Sequence, residues 1–258
     1  MERGMRGNSH VPCEVGEKPE IRSKVYLSLY QFVQVYWDSS QKKEMRFHYF
    51  LGFENPCMLY EETEKDGKTV YLNKSFEAAL LNTGNYKIFN ALALEKVLIA
   101  HESIILHASY VNYKGKAILF TAPSGTGKST QAALWEKYKG AEVVNGDRVI
   151  IRKGREGYEA CGIPVCGSSD ICLNRTMPIA SIVYLQQGPD NHIQIMRMAE
   201  RVKRLISETT ISFFDPAFVE RALEILQGIG MEIPCYYYSC TKDEEAVLKL
   251  CSTIEENG

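Results

Sequence analysis

The sequence lacks long hydrophobic runs, an excess of either charge, and any paired cysteine motif. Each absence excludes a class of protein. No apolar stretch approaches the roughly 18 residues that suggest a membrane-spanning helix. Glu95, Lys96, His101 and Glu102 interrupt the most apolar segment. The opening residues MERGMRGNSH hold no apolar core of a secretory leader. A cytoplasmic protein with no membrane partner is the expectation. Lys and Arg number 30 against 32 Asp and Glu, for a formal net charge of −2. A general nucleic-acid binder shows a basic excess or stripe, so nucleic acid is not an expected partner. The cysteines are Cys13, Cys57, Cys161, Cys166, Cys172, Cys235, Cys240 and Cys251. None forms a CxxC pair and no His follows at finger spacing. Reduced thiols in a reducing compartment are expected. A regulatory or metal role for the Cys161, Cys166, Cys172 cluster is the alternative. There is no internal repeat and no low-complexity tract.

What is present is the mix of an ordinary globular protein, with 45% hydrophobic and 24% charged residues. A chain of 258 residues is one large domain or two small ones, and buries a core without a disulfide or zinc staple. Residues 1–22 are polar and are expected to be a disordered tail. The segments VYLSLYQFVQVYW, MRFHYFLGF and KTVYL are β-branched and aromatic, which predicts a small, mostly antiparallel β domain over residues 23–87. SFEAALLN and KIFNALALEKVLIA read as helices, the second apolar nearly all round and so expected to be buried. From 103 onward strands and helices alternate, which predicts an α/β domain over residues 88–258. Gly140 is placed to stop one helix. Asp215 and Pro216 start another, and Thr241 to Glu244 reads as a capping box for the last.

The informative segment is Ala122-Pro-Ser124-Gly125-Thr126-Gly127-Lys128-Ser129-Thr130. It follows the apolar strand AILFT and opens the helix KSTQAALWEKY, which is the context of a phosphate-binding P-loop. Gly125 and Gly127 let backbone N–H groups turn inward to cradle phosphate oxygens, aided by the helix N-terminus. Lys128 would reach the β- and γ-phosphates of ATP, and the Ser129 hydroxyl would ligate Mg²⁺. Ala122 stands where the usual pattern has Gly. Without a ligand, the same residues would be a glycine-rich strand-to-helix turn. Asp147 lies in AEVVNGDRVIIR, expected as the strand beside the P-loop strand, where a carboxylate could hold Mg²⁺ or take a proton. Asn145-Gly146-Asp147 is also good turn chemistry. His107, in SIILHASYVN, shares a face with Ile105, Ser109 and Val111. Taken alone it reads as a core strand residue.

LHASYVNYKGKAILFTAPSGTGKSTQAALW followed by GAEVVNGDRVIIR resembles the HPr kinase/phosphorylase and phosphoenolpyruvate-carboxykinase-like P-loop proteins. A His leads a strand eight residues before Gly115, and the acidic residue comes directly after the P-loop helix. GIPVCGSSDICLNRTMPIASIVYLQQ and IPCYYYSCTKDEEAVLKL resemble later segments of small HPr-kinase-like proteins. The resemblance implies an ATP- and Mg²⁺-dependent kinase that phosphorylates serine on a peptide or small protein. It implies that His107 lies near the transferred phosphate, that Asp147 binds Mg²⁺ and acts as base, and that a homo-oligomer is open. The family carries two adjacent Asp residues, and here the first place is Gly146. No stretch matches the Arg- and Gly-rich segment of true HPr kinase/phosphorylases, so reversal of the reaction is not implied.

The expected fold is therefore an α/β P-loop nucleotide-binding core with a mixed β-sheet, preceded by a small β-rich domain. The expected function is transfer of the γ-phosphoryl group of ATP to a hydroxyl. Asp147, His107 and Lys128 are the expected catalytic residues. Arg175 is a candidate charge stabiliser, with a surface strand-start Arg as the alternative. Gly162 to Pro164 and Cys166-Gly167 are weaker candidates for an acceptor loop. Two other readings stay open. One is a nucleotide-binding regulatory or recognition protein with weak or no catalysis. The other is a small-molecule kinase or carboxykinase-like enzyme.

Overall fold

The computed structural model describes residues 20–28, 31–38, 43–50, 52–63, 67–77, 92–167, 169–213 and 215–257. The chain divides into two compact units, Met1–Ala79 and Leu80–Gly258. The expected boundary near residue 87 falls outside the described residues, as do most of the expected helix SFEAALLN and the first residues of KIFNALALEKVLIA. So do residues 1–19 of the expected tail. Its last residues, from Glu20, are already strand.

The first unit is an antiparallel meander in the order β1-β2-β3-β4-β5. Its strands are β1 (Glu20–Ser28), β2 (Gln31–Asp38), β3 (Lys43–Phe50), β4 (Met58–Thr63) and β5 (Gly67–Leu72). Val33, His48 and Met58 are in register, as are Val35, Arg46 and Tyr60. All six are buried on one face. This agrees with the antiparallel β domain expected from composition.

The second unit is a mixed α/β structure. Its strands are β6 (Ser103–Tyr113), β7 (Lys116–Thr121), β8 (Glu142–Asn145), β9 (Arg148–Lys153), β10 (Tyr158–Cys161), β11 (Thr176–Gln187), β12 (His192–Ile195) and β13 (Cys235–Cys240). Its helices are α1 (Leu94–Ala100), α2 (Lys128–Lys139), α3 (Met198–Glu208), α4 (Pro216–Glu232) and α5 (Glu244–Asn257). The order is β10-β9-β6-β7-β11-β13-β12, with β8 also on β6. β10 pairs with β11 as well as β9, so five strands close into a ring. β7, β11 and β13 are parallel to one another, and β6 is antiparallel to β7.

Strand alternation divides the core. Leu106, Ala108, Tyr110, Leu119, Ile151, Ala160 and Ile182 face one way and pack with Ile225, Leu226 and Ile229 of α4. Ile118, Phe120, Val183 and Leu185 face the other and pack with Trp135 of α2 and Val247, Leu250 and Ile254 of α5. Each fully buried Leu, Ile or Phe contributes about 1.5–3 kcal/mol relative to exposure.

Several local expectations hold. Gly140 ends α2 with φ 62°, and the Asp215 side chain accepts from the N–H of Phe218 at 3.1 Å. Others are corrected. Helix α1 has no buried residue, and Val97 is 40% exposed. Leu94 and Leu98 pack against Ile105, Ile163 and Val165, and Ile99 packs against the cluster that holds Leu106 and Ile225. The segment around Asp147 is two strands broken at Gly146-Asp147. It does not lie beside β7, because β6 pairs on one edge with β7 and on the other with β8 and β9. The last helix is capped by Asp243, whose carboxylate accepts from the N–H of Ala246 at 3.1 Å. Thr241 instead donates from its N–H and its hydroxyl to Asn191.

The Asp243→Ala change should lower stability by about 1 kcal/mol, the usual cost of a lost N-cap. Thermal unfolding followed by circular dichroism checks it. An unchanged transition would return the cap to Thr241.

Candidate active site

Strand β7 ends at Thr121, opposite Ala108 of β6. The chain then leaves the sheet through residues 122–127 and enters α2. Gly125 and Gly127 have φ of 81° and 112°, which favour glycine over any residue with a Cβ. Ala122 has no such positive φ and its methyl group is buried in the core, so this loop does not need the usual first glycine. The Gln187 side chain, at the end of β11, donates to the carbonyls of Gly125 at 3.3 Å and Thr126 at 3.2 Å. Ser124, Gly125, Thr126 and Gly127 thus form the loop, and Lys128, Ser129 and Thr130 the first turn of α2. The Lys128 ammonium is buried and donates to the Ala122 carbonyl at 2.7 Å.

β6 continues past the end of β7, and residues Ser103–His107 pair with β9. The edge that β7 vacates is taken by the chain leaving α3. Leu106 bridges Thr209, and the N–H of Thr210 donates to the Ile105 carbonyl at 2.9 Å. This brings Glu208, the last residue of α3, against His107, with Oε2 at 3.2 Å from Nδ1. On the other side of the ring, His107 Nε2 lies 3.5 Å from Asp147 Oδ1. That distance is at the long end for a hydrogen bond.

Asp147 is held by its own turn. Asn145 Oδ1 accepts from the N–H groups of Asp147 and Arg148, both at 2.9 Å. The Gly146 carbonyl accepts from Ser109 Oγ at 2.8 Å and from Ser129 Oγ at 3.3 Å. β6, the turn and α2 are therefore tied at one atom. A Cβ on Gly146 would meet Ser169 Oγ at 2.2 Å, so an aspartate there could enter only by displacing Ser169.

The charges are coupled. Hydrogen bonding to Asp147 and Glu208 holds the His107 pKa above its ordinary 6.5, against burial and the nearby Lys128. Burial would push Asp147 up, but His107, Arg148 and Lys128 outweigh it and hold the carboxyl below its ordinary value. Burial lowers the Lys128 pKa, with Glu208 and Asp147 opposing. The surroundings thus favour the protonated ring of His107 and keep Asp147 a carboxylate.

Of the residues named from sequence, Lys128, Ser129, His107 and Asp147 are brought together. Arg175 is not. Its exposed guanidinium donates to both carboxylate oxygens of Glu142, at 3.3 and 3.0 Å, at the opposite end of β8 from Asp147. Glu208 and Gln187 escaped sequence reasoning. Glu208 carried one signal, since a glutamate at a helix C-terminus opposes the helix dipole. Buried there, it requires a cationic partner. The cluster sets two basic side chains beside two carboxylates next to the glycine-bearing loop, chemistry that suits a phosphate and a hydroxyl group.

No protein-family model matches the chain, and no curated protein matches it. Among solved structures it is similar to the Hpr(Ser) kinase/phosphatase from Coxiella burnetii, at 11% identity and a TM-score of 0.35. That match covers 59% of this chain and 93% of the other. At that level of similarity no activity transfers. No described helix is long and apolar enough to cross a membrane.

Replacing Glu208 by Gln should drop the His107 midpoint toward 6.5, read by NMR titration of its ring protons. An unmoved midpoint would leave Asp147 as its only charge partner. The sign for stability follows from the raised pKa. The His107 contribution is full below about 6.5 and is lost as pH rises through the folded value. For Asp147, whose pKa is depressed, the contribution is present above about 3.9 and is lost as pH falls through the folded value.

Proposed function

We propose that this chain is a cytoplasmic, ATP- and Mg²⁺-dependent phosphotransferase of the HPr-kinase-like type. It would move the γ-phosphoryl group to a hydroxyl, with serine on a peptide or small protein as the acceptor. The observation that carries this reading is the convergence of Lys128, His107, Asp147 and Glu208 where β7 gives way to the glycine-bearing loop.

The donor set fits Mg²⁺, which takes one or two carboxylates and keeps phosphate and water as its other ligands. Ser129 Oγ lies 3.3 Å from the Gly146 carbonyl, and Asp147 is the next residue. These two would hold the ion, which when bound would neutralise phosphate charge. The other tasks fall to the chain. N–H groups of residues 125–129 bind phosphate oxygens. Lys128 exchanges its carbonyl partner for the β- and γ-phosphates. His107, whose pKa its two carboxylate partners raise, faces the charge that develops on the transferred group. Asp147, kept ionised, takes the proton of the acceptor hydroxyl. This assigns base and cation to different residues, because Asp147 is held ionised while the surroundings of His107 favour its protonated form.

A second reading is a nucleotide-binding recognition protein with weak or no catalysis. Ser169 fills the space beside Gly146, where the resembled family has a second aspartate, and that favours it.

Lys128→Ala and Asp147→Asn should each reduce phosphoryl transfer by about 10²-fold or more, as loss of a transition-state contact does. Labelled ATP with a serine-peptide library measures transfer, and circular dichroism checks folding. Full activity in either variant defeats the catalytic reading. Tight ATP binding with no phosphorylated product across the library favours the second.

A further inference from the structure

Asn145 is fully buried and touches two parts of the segment between β10 and β11. Its Nδ2 donates to the carbonyls of Ile163 at 3.2 Å and Val165 at 3.0 Å. Its backbone bridges Cys172. The N–H of Leu173 donates to the neighbouring Val144 carbonyl at 2.8 Å. Val165 and Cys172 are thus both held against one residue, which sets Cys166 beside Cys172. Hydrogen bonding with Cys166, and then burial, hold the Cys172 thiol above its ordinary value. Both thiols are reduced and partly exposed. Gly167, next to Cys166, lies so close to Asp147 that a Cβ there would come within 2.6 Å of the Asp147 Cβ.

The other described cysteines lack this arrangement. Cys57, Cys235, Cys240 and Cys251 are buried. Burial pushes the Cys235 and Cys240 thiols up to about 11, which makes them inert. Cys161 is paired within the β10 ladder.

We propose that Cys166 and Cys172 are a reversible thiol–disulfide pair whose oxidation stiffens the turn that carries Asp147. The oxidant is a small disulfide of the glutathione class. One cysteine thiolate attacks a sulfur of that disulfide, its S–S bond breaks, and one small thiol leaves. The second cysteine attacks the protein sulfur of the mixed disulfide and releases the other small thiol. The two protein thiols lose two electrons and two protons, and the small disulfide gains them as two thiols. A bond there ties together the two strands of chain that hold Asn145. Asn145 Oδ1 holds the N–H groups of Asp147 and Arg148, both at 2.9 Å. Opening of that turn then requires more of the structure to move. Any effect on phosphoryl transfer rests on the proposed role of Asp147, whereas the bond and the stiffening do not.

The test uses the full chain and no nucleotide. The protein is incubated with oxidised glutathione, free thiols are blocked with N-ethylmaleimide, and digestion with mass spectrometry maps the disulfides. The expected product is a Cys166–Cys172 bond that dithiothreitol reverses. Amide exchange at Asp147 and Arg148 should slow by about tenfold or more in the bonded form. Cys172→Ser and Cys166→Ser should each carry one glutathione on the remaining thiol with no slowing. A bond between other cysteines, or glutathione on both in place of a bond, overturns the pairing. Unchanged or faster exchange in the bonded protein overturns the stiffening. Either failure leaves the phosphotransferase reading standing, and that reading can fail while the bond forms.

Discussion

Strand β6 outruns β7, and the candidate site occupies the step this creates. The last shared pair is Ala108 with Thr121. Beyond it β7 has left the sheet, and its place against β6 is taken by Thr209 and Thr210. An open backbone edge there would leave buried N–H and C=O groups unpaired. Filling it with the end of α3 satisfies those groups and delivers Glu208 to His107. The same step leaves room above Thr121 for the loop and for the buried ammonium of Lys128. Without the mismatch in strand length, the four charged groups would not meet.

Those groups form a balanced set of two cations and two anions. Each alone would carry a heavy desolvation cost in a half-buried position. Together they fix one another's charge states. The pKa of His107 is raised, that of Asp147 is lowered, and the Lys128 ammonium is held at the Ala122 carbonyl. The tie of Ser109 and Ser129 to the Gly146 carbonyl keeps the aspartate turn, β6 and α2 from moving independently.

Much of the fold was legible where local chemistry decides it. The loop lies between a strand and a helix because Gly125 and Gly127 permit a turn and Lys128-Ser129-Thr130 permits a helix. The helix starts and stops at Asp215 and Gly140 follow from capping and positive φ. The antiparallel character of the first unit follows from its alternating aromatic and β-branched residues. Where two chemistries were available nearby, local reading failed. Thr241 and Asp243 both suit an N-cap, and the choice fell to Asp243 because Asn191, far away in sequence, holds Thr241. Arg175 suits a phosphate as well as a carboxylate, and in the structure its guanidinium pairs with Glu142 at the start of β8.

The sequence by itself determined the local devices: the glycine-bearing loop, the buried alternation of β6 and β7, the Asn-Gly-Asp turn and the helix termini. These depend on interactions within a few residues. Only the tertiary structure decided the ring of five strands, the position of β6 between β7 and the aspartate turn, and the contact of Glu208 with His107 across 101 residues of chain. Strand order and side-chain meetings at that separation are set by which edges remain unpaired and which charges remain unmatched after the local elements form. No window of sequence contains that information.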